Sequence, residues 1–220
     1  MDTVSSTPPV PLDGQVIAVL RTTHANEYAP VIESLIAGGI HFIELTLTTQ
    51  GVLGLLPVIR ETFGDTQIGI GTVTTVSEAG HALDAGAQFL VTPTMNLPVI
   101  HLAATRGTTV IPGGLTPTEL HAGWNAGATA VKVFPASTVG PDYITQLRGP
   151  FPDIQLVPSG GISIEEAPRW IAAGAQAVSL GGPLLRDAFK GGNLQELTER
   201  ASRVTNSVAE AGTARKGKNA

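Results

Sequence analysis

One phrase recurs four times along this 220-residue chain: AGGIHFIEL, DAGAQFLVT, NAGATAVKV and AAGAQAVSL. Each begins with an Ala-Gly that ends a helical stretch and runs, within a residue or two, into an apolar strand. Glycine suits the left-handed position just past a helix C-terminus. The four glycines are Gly38, Gly86, Gly127 and Gly174, spaced by about twice the length of one strand-plus-helix unit. A chain that keeps ending helices and starting strands in this way is committed to parallel strands joined by helical crossovers.

The intervening units complete the series. Strands are expected at Val16–Leu20, His41–Leu47, Gln67–Gly71, Phe89–Thr92, Thr109–Pro112, Ala130–Phe134, Gln155–Pro158 and Ala177–Leu180. Helical patterns fall between them, as at Glu27–Ala37, Val76–Asp84, Thr116–Asn125 and Glu165–Ala172, with a last one from about Asn193 to Val208. About eight strand–helix units predict an α/β fold of the (β/α)₈ TIM-barrel type, for which this length is near the lower limit. An open doubly wound sheet is the alternative, weakened because no G-x-G-x-x-G follows the first strand. The predicted organisation is one barrel domain over residues 14–209. A Pro/Ser/Thr-rich flexible tail precedes it at residues 1–13, and a flexible tail, AGTARKGKNA at its end, follows over residues 210–220.

Within strands, alternation sorts side chains between the barrel interior and the helix layer. In HFIELTLTT, Ile43, Leu45 and Leu47 share one face, and Phe42, Glu44, Thr46 and Thr48 the other. The aliphatic face must meet helices, so Glu44 points inward. In ATAVKVFPAS, Val131 and Val133 go outward, while Ala130, Lys132 and Phe134 go inward. Of four lysines, three lie in a Gly-flanked stretch (Lys190) or in the tail (Lys216, Lys218), and Lys132 alone sits in a strand. An ammonium buried without a partner is costly and tends to release its proton. Arg21 ends the first strand on the face of Val19. A Glu, a Lys and an Arg thus converge toward the C-terminal strand ends, where barrel enzymes place their chemistry. A buried Lys–Glu pair is also a common structural device. Here, though, the partners come from different strands at the functional end. A buried free amine is a nucleophile toward carbonyls and forms a Schiff base, with Glu44 moving protons beside it.

The remaining motifs are glycine-rich. VPSGGI ends the seventh strand and SLGGPLL the eighth, the two places where barrels often hold phosphate on loop amides. GTVTT and TPT are weaker signals that ordinary turns or helix caps also satisfy. The five histidines, at 24, 41, 81, 101 and 121, show no ligand spacing, so no metal is expected. Trp124 and Trp170 read as core or interface residues. The net charge of -5, without a basic cluster in the body of the chain, argues against nucleic acid. Cysteine is absent, so thiolate sites and disulfides are excluded. The opening MDTVSSTPPVPLDG lacks the features of a secretory signal, and no apolar run reaches membrane-spanning length. A cytoplasmic protein without a membrane partner is expected.

Seven segments together carry a resemblance: AVLR (18–21), IELTLT (43–48), GTVT (71–74), PGGLTPTE (112–119), VKVFPA (131–136), GPFP (149–152) and PSGGI (158–162). The chain resembles, from about Val16 to Val208, the bacterial 2-dehydro-3-deoxy-phosphogluconate / 4-hydroxy-2-oxoglutarate aldolases. That resemblance implies a class I aldolase of the Entner-Doudoroff type. Such an enzyme releases pyruvate from a keto acid, needs no cofactor and forms a homotrimer on a (β/α)₈ barrel. It implies Lys132 as the Schiff-base residue and Glu44 as the proton shuttle. It also places Thr72 and Pro93 in the pyruvate pocket, Phe134 beside the lysine, and Gly160, Gly161, Gly181 and Gly182 at the phosphate.

Three positions depart from the family pattern. Thr48 stands where many members carry an Arg, and Arg21 is expected to take over the grip on a substrate anion. Ser159 replaces a common Thr and keeps its hydroxyl. Pro183 replaces a Ser and removes one backbone donor. The expected substrate is 2-dehydro-3-deoxy-6-phosphogluconate, with activity also on 4-hydroxy-2-oxoglutarate. The alternatives are a related galactonate-type or unphosphorylated keto acid, another phosphate-binding barrel enzyme, or a barrel that only binds small acids.

Overall fold

The computed structural model describes residues 12–219. Its strands are β1 Gln15–Leu20, β2 Phe42–Thr46, β3 Gln67–Gly71, β4 Phe89–Val91, β5 Thr109–Ile111, β6 Gly113–Gly114, β7 Val131–Val133, β8 Leu156–Pro158 and β9 Ala177–Leu180. Its helices are α1 Tyr28–Ala37, α2 Val52–Thr62, α3 Val76–Asp84, α4 Leu97–Thr105, α5 Pro117–Asn125, α6 Asp142–Arg148, α7 Ala167–Ala172, α8 Gly182–Leu185 and α9 Leu194–Asn219. Every strand pairing is parallel.

The strands do not form the single eight-stranded ladder that the repeat predicts. They form a curled six-stranded sheet, ordered β5-β4-β3-β2-β1-β9, and a three-stranded sheet, β6-β7-β8. Pro112, the last residue of the expected fifth strand, separates β5 from a further short strand, β6, that the repeat does not predict. It has no N–H to give the ladder, so Thr109–Ile111 pairs with β4 and Gly113–Gly114 pairs with β7. Backbone bonds still cross both seams. The Thr129 amide, just before β7, donates to the Val110 carbonyl of β5 at 3.1 Å, and the Gln176 amide, just before β9, to the Leu156 carbonyl of β8 at 2.8 Å.

Two cores divide as strand alternation requires. Ile43, Leu45, Val131 and Val133 pack in a large core with the helices. Ile17, Phe42, Phe89, Ala130 and Val157 form a smaller one enclosed by strands, joined there by Leu12. The helix-ending glycines take the left-handed conformation at Gly86, Gly127 and Gly174, but in the first repeat Gly39 takes it instead of Gly38. Gly38 has another reason to be glycine. A Cβ there would lie 2.3 Å from the Ala201 Cβ, so it allows α9 to pack against the end of α1.

The chain ends differ from expectation as well. Residues 1–11, most of the predicted N-terminal tail, lie outside the described residues. At the other end α9 runs to Asn219, where the sequence predicts a helix ending near Val208 and a flexible tail from 210. Tertiary contacts explain the extension. Arg215 donates to the Ile171 and Ala175 carbonyls at 3.2 and 2.7 Å, and its Nη2 meets Asp13 Oδ1 at 3.1 Å. Lys216 Nζ reaches Asp13 Oδ2 at 2.6 Å. Basic residues that read as a solvated end instead tie α9 to the start of β1.

Candidate active site

Glu44 sits midway along β2 with 2% of its surface exposed. Its neighbours across the ladder are Val19 and Gly69. The carboxylate fits only because residue 71 lacks a side chain: a Cβ on Gly71 would lie 1.8 Å from Glu44 Oε1. Glu44 Oε2 is buried and has no hydrogen-bond partner among the described residues. Burial pushes the carboxyl's pKa above its ordinary 4.5, and the charges of Lys132 and Arg21 oppose the shift without cancelling it. A buried carboxylate with an unpaired oxygen is a group held ready for a proton.

Lys132 faces the same interior from β7 and is 8% exposed. Its Nζ lies 5.0 Å from the centre of the Phe134 ring. Among the described residues no ion pair joins it to Glu44. Lysine and carboxylate therefore share a space without being locked together, as a purely structural pair would be.

That space is a cavity of about 190 Å³. Eleven of the twelve sequence-predicted residues line it: Arg21, Glu44, Thr72, Pro93, Lys132, Phe134, Ser159, Gly160, Gly161, Gly181 and Gly182. Thr48 is the exception. Its hydroxyl is 3.1 Å from that of Thr46, and it stands outside the lining. Arg21 Nη2 donates to Thr72 Oγ1 at 3.2 Å. Thr72 holds φ at 62°, a region that β-branched residues rarely enter. This strained turn presents its hydroxyl to Arg21. Gly160 and Gly161 take φ of 91° and 75°. A Cβ at Gly160 would lie 2.9 Å from the Phe134 ring, so this glycine lets the ring lie over the loop.

Several contributors carry weak sequence signals. Gly71 lies inside GTVT, but only the approach of Glu44 gives it meaning. Gly113 allows the Pro93 turn, since a Cβ there would meet the Pro93 carbonyl oxygen at 2.5 Å. Ser179 on β9 accepts a bond from the Ser159 hydroxyl at 3.2 Å, both groups being buried. Other motif residues prove to be caps. Thr75 with Glu78 and Thr116 with Glu119 form reciprocal boxes that start α3 and α5. Hydrogen bonds from Thr74 and Thr116, respectively, hold those two carboxyls below the usual range.

A larger cavity, about 540 Å³, lies at the opposite strand ends among Arg148, Gln155, Gly174, Gln176 and Arg215. None of the predicted residues is there. No group of three His, Cys, Asp or Glu among the described residues could hold a metal. The smaller cavity instead offers an amine, an unbonded carboxylate oxygen, a guanidinium and glycine-rich loops. That set suits covalent capture of a ketone, proton transfer beside it and retention of an anionic tail.

Comparison with known proteins agrees. The family model described as KDPG and KHG aldolase matches residues 12–200. The 2-dehydro-3-deoxy-6-phosphogalactonate aldolase of Escherichia coli (strain K12) is 33% identical over 198 residues, covering 89% of this chain and 95% of that protein. The 2-dehydro-3-deoxy-phosphogluconate aldolase of Pseudoalteromonas atlantica is 33% identical over 199 residues, covering 89% and 92%. A crystal structure of KDPG aldolase from Legionella pneumophila holds pyruvate as a covalent carbinolamine. It superposes with a TM-score of 0.80 at 28% identity, covering 91% of this chain and 95% of that one. With its family model spanning nearly the whole described chain, this protein belongs to the KDPG and KHG aldolases, a family of carbon–carbon lyases.

Proposed function

We propose that the protein is a class I aldolase that cleaves 2-dehydro-3-deoxy-6-phosphogluconate to pyruvate and glyceraldehyde 3-phosphate, with a secondary activity on 4-hydroxy-2-oxoglutarate. The observation that carries the reading is the Glu44 Oε2 atom, buried without a hydrogen-bond partner among the described residues, in one cavity with the strand lysine, Lys132. The Lys132 amine attacks the C2 ketone, and the carbinolamine loses water with a proton from Glu44. The resulting iminium is an electron sink. Glu44, through a water, takes the C4 hydroxyl proton. The C3–C4 bond breaks, its electrons move into the enamine, and the aldehyde leaves. Protonation at C3 and hydrolysis then free pyruvate and the amine. Thr72, Pro93 and Phe134 enclose the pyruvate end, Arg21 holds a substrate anion, and Ser159, Gly160, Gly161, Gly181 and Gly182 face the phosphate. Thr48 adds little, since its hydroxyl is turned to Thr46.

The proposed scaffold is one (β/α)₈ barrel over residues 14–209, in which the two sheets are arcs of a single wall. The hydrogen bonds across both seams support it. Homotrimeric assembly and a cytoplasmic location go with this reading. A second substrate has specific support, because relatives named phosphogalactonate aldolases are as similar as the phosphogluconate ones. The galactonate acid differs at C4, next to the bond that breaks.

The test is incubation with pyruvate and borohydride followed by peptide mapping, then steady-state cleavage of both phosphorylated C4 epimers, the unphosphorylated acid and 4-hydroxy-2-oxoglutarate. An adduct on Lys132 and the highest kcat/KM for the phosphogluconate acid are expected. A label on Lys190, or none, overturns the aldolase mechanism. Equal values with and without phosphate overturn the phosphate site.

A further inference from the structure

Arg200, on α9, is 3% exposed and touches nothing in the cavity. An arginine buried to this degree is uncommon and needs its donors met. Its Nε donates to the Leu184 carbonyl at 2.9 Å, and its Nη2 makes a longer contact, 3.5 Å, with the Leu185 carbonyl. Its Nη1 is 3.7 Å from Oε2 of Glu196, a largely exposed partner. The two carbonyls are the last of α8. The final carbonyls of a helix lack partners within it, and α8 is a single turn. The chain cannot continue the turn to cover them, because it reverses at Arg186, where φ is 50° and ψ is -113°. Non-glycine residues seldom hold that conformation unless the surroundings impose it.

The other end of the same turn is Gly181-Gly182-Pro183, and all three residues line the cavity. Bonds inside the turn couple its two ends. The Leu184 and Leu185 amides both donate to the Gly181 carbonyl at 3.0 Å, and the Arg186 amide donates to the Gly182 carbonyl at 2.8 Å. A shift at the guanidinium is therefore a shift of the wall. Lys132 and Glu44 are carried by β7 and β2, outside this turn.

We propose that Arg200 is a positioning residue for the phosphorylated end of the substrate. It fixes the Gly181–Pro183 wall from behind and leaves the amine and the carboxylate alone. This rests on the aldolase reading above and adds to it the part that sets selectivity for a phosphate. Arg200→Met removes both carbonyl contacts. It should raise KM for the phosphorylated acid about tenfold, leaving its kcat and the KM for 4-hydroxy-2-oxoglutarate within about twofold. Arg200→Lys, with one compact donor group, should recover part of the loss. If the Met variant does not fold, the Lys variant carries the test, with an intermediate rise in KM for the phosphorylated acid alone.

A purely structural role would lower both substrates' kcat/KM together, and that result overturns the proposal. So does an unchanged KM for the phosphorylated acid, or a wild type indifferent to the phosphate. Borohydride trapping with pyruvate separates this from failure of the aldolase reading. A normal Lys132 adduct without the KM split rejects Arg200 alone, whereas no adduct in the wild type rejects the chemistry and this inference with it.

Discussion

The two ends of the strand assembly each hold a cavity lined by charged side chains, and the charges differ in what they already bind. At the N-terminal ends the larger cavity has two guanidiniums. Arg148 gives Nη1 to the Pro152 and Ile154 carbonyls and Nη2 to Gly174, while Arg215 is shared among Ile171, Ala175 and Asp13. These arginines are committed to carbonyls in the segments that lead into β8 and β9, and to Asp13. At the C-terminal ends the cavity has about a third of that volume, yet Glu44 keeps an oxygen with no hydrogen-bond partner among the described residues. Spare bonding capacity in a buried group costs stability and is retained where a reaction uses it. Room alone does not mark a site; room beside an unmet charge does.

The contrast can be broken at the chemical end first. Glu44→Gln should lower kcat by roughly 10²–10⁴ with the fold retained, measured by steady-state cleavage alongside circular dichroism. Turnover close to wild type would move the proton shuttle elsewhere. The same variant sharpens the stability side. Glu44's pKa is raised on folding, so between its ordinary 4.5 and the raised value the folded state binds the extra proton. Stability then falls as pH rises through that window. Glu44→Gln should melt higher than wild type at neutral pH, and the gap should close toward pH 4. A gap that is constant with pH would show that the carboxylate carries no such cost.

Gly71→Ala is next in size. Its Cβ would occupy the place of Glu44 Oε1, so the carboxylate must move. Misplacing a catalytic group by about 1 Å can cost about 10²-fold. The expected signature is a lower kcat with the borohydride adduct still forming. An unaltered kcat would mean that Glu44's position is not critical.

At the rim, Arg21→Lys should raise KM about tenfold, because a point charge cannot reproduce a two-pronged grip on an anion. Thr48→Val should change it less than twofold, in keeping with its place outside the cavity. The opposite ranking would return the anion site to position 48. The smallest catalytic effect belongs to the other end. Arg215→Ala should leave kcat and KM within about twofold while lowering stability by about 1–3 kcal/mol in urea unfolding, since the Ile171 and Ala175 carbonyls and Asp13 Oδ1 each lose one hydrogen bond while Lys216 keeps its hold on Asp13 Oδ2. A marked drop in kcat would show that the two ends are coupled.

Much of this arrangement was legible along the chain because strand alternation is a short-range rule. Once HFIEL and AVKV are strands, the aliphatic residues must face helices, and Glu44 and Lys132 must face each other's side of the wall. Gly86, Gly127 and Gly174 were visible for a similar reason: the left-handed turn after a helix demands them locally, whereas Gly38 is required by the distant Ala201. What the sequence by itself determined is therefore the parallel α/β repeat, the strand faces and the convergence of Lys132, Glu44 and Arg21. The tertiary structure alone decided the split of the strands into six and three, the continuation of α9 to Asn219, the clearance that Gly71 gives Glu44, and the hold of Arg200 on α8. The last three depend on a partner elsewhere in the chain: Asp13 for Arg215, Glu44 for Gly71, Leu184 for Arg200. Local pattern carries no record of such a partner, because close approach and hydrogen bonding depend on distance in space, which only packing establishes.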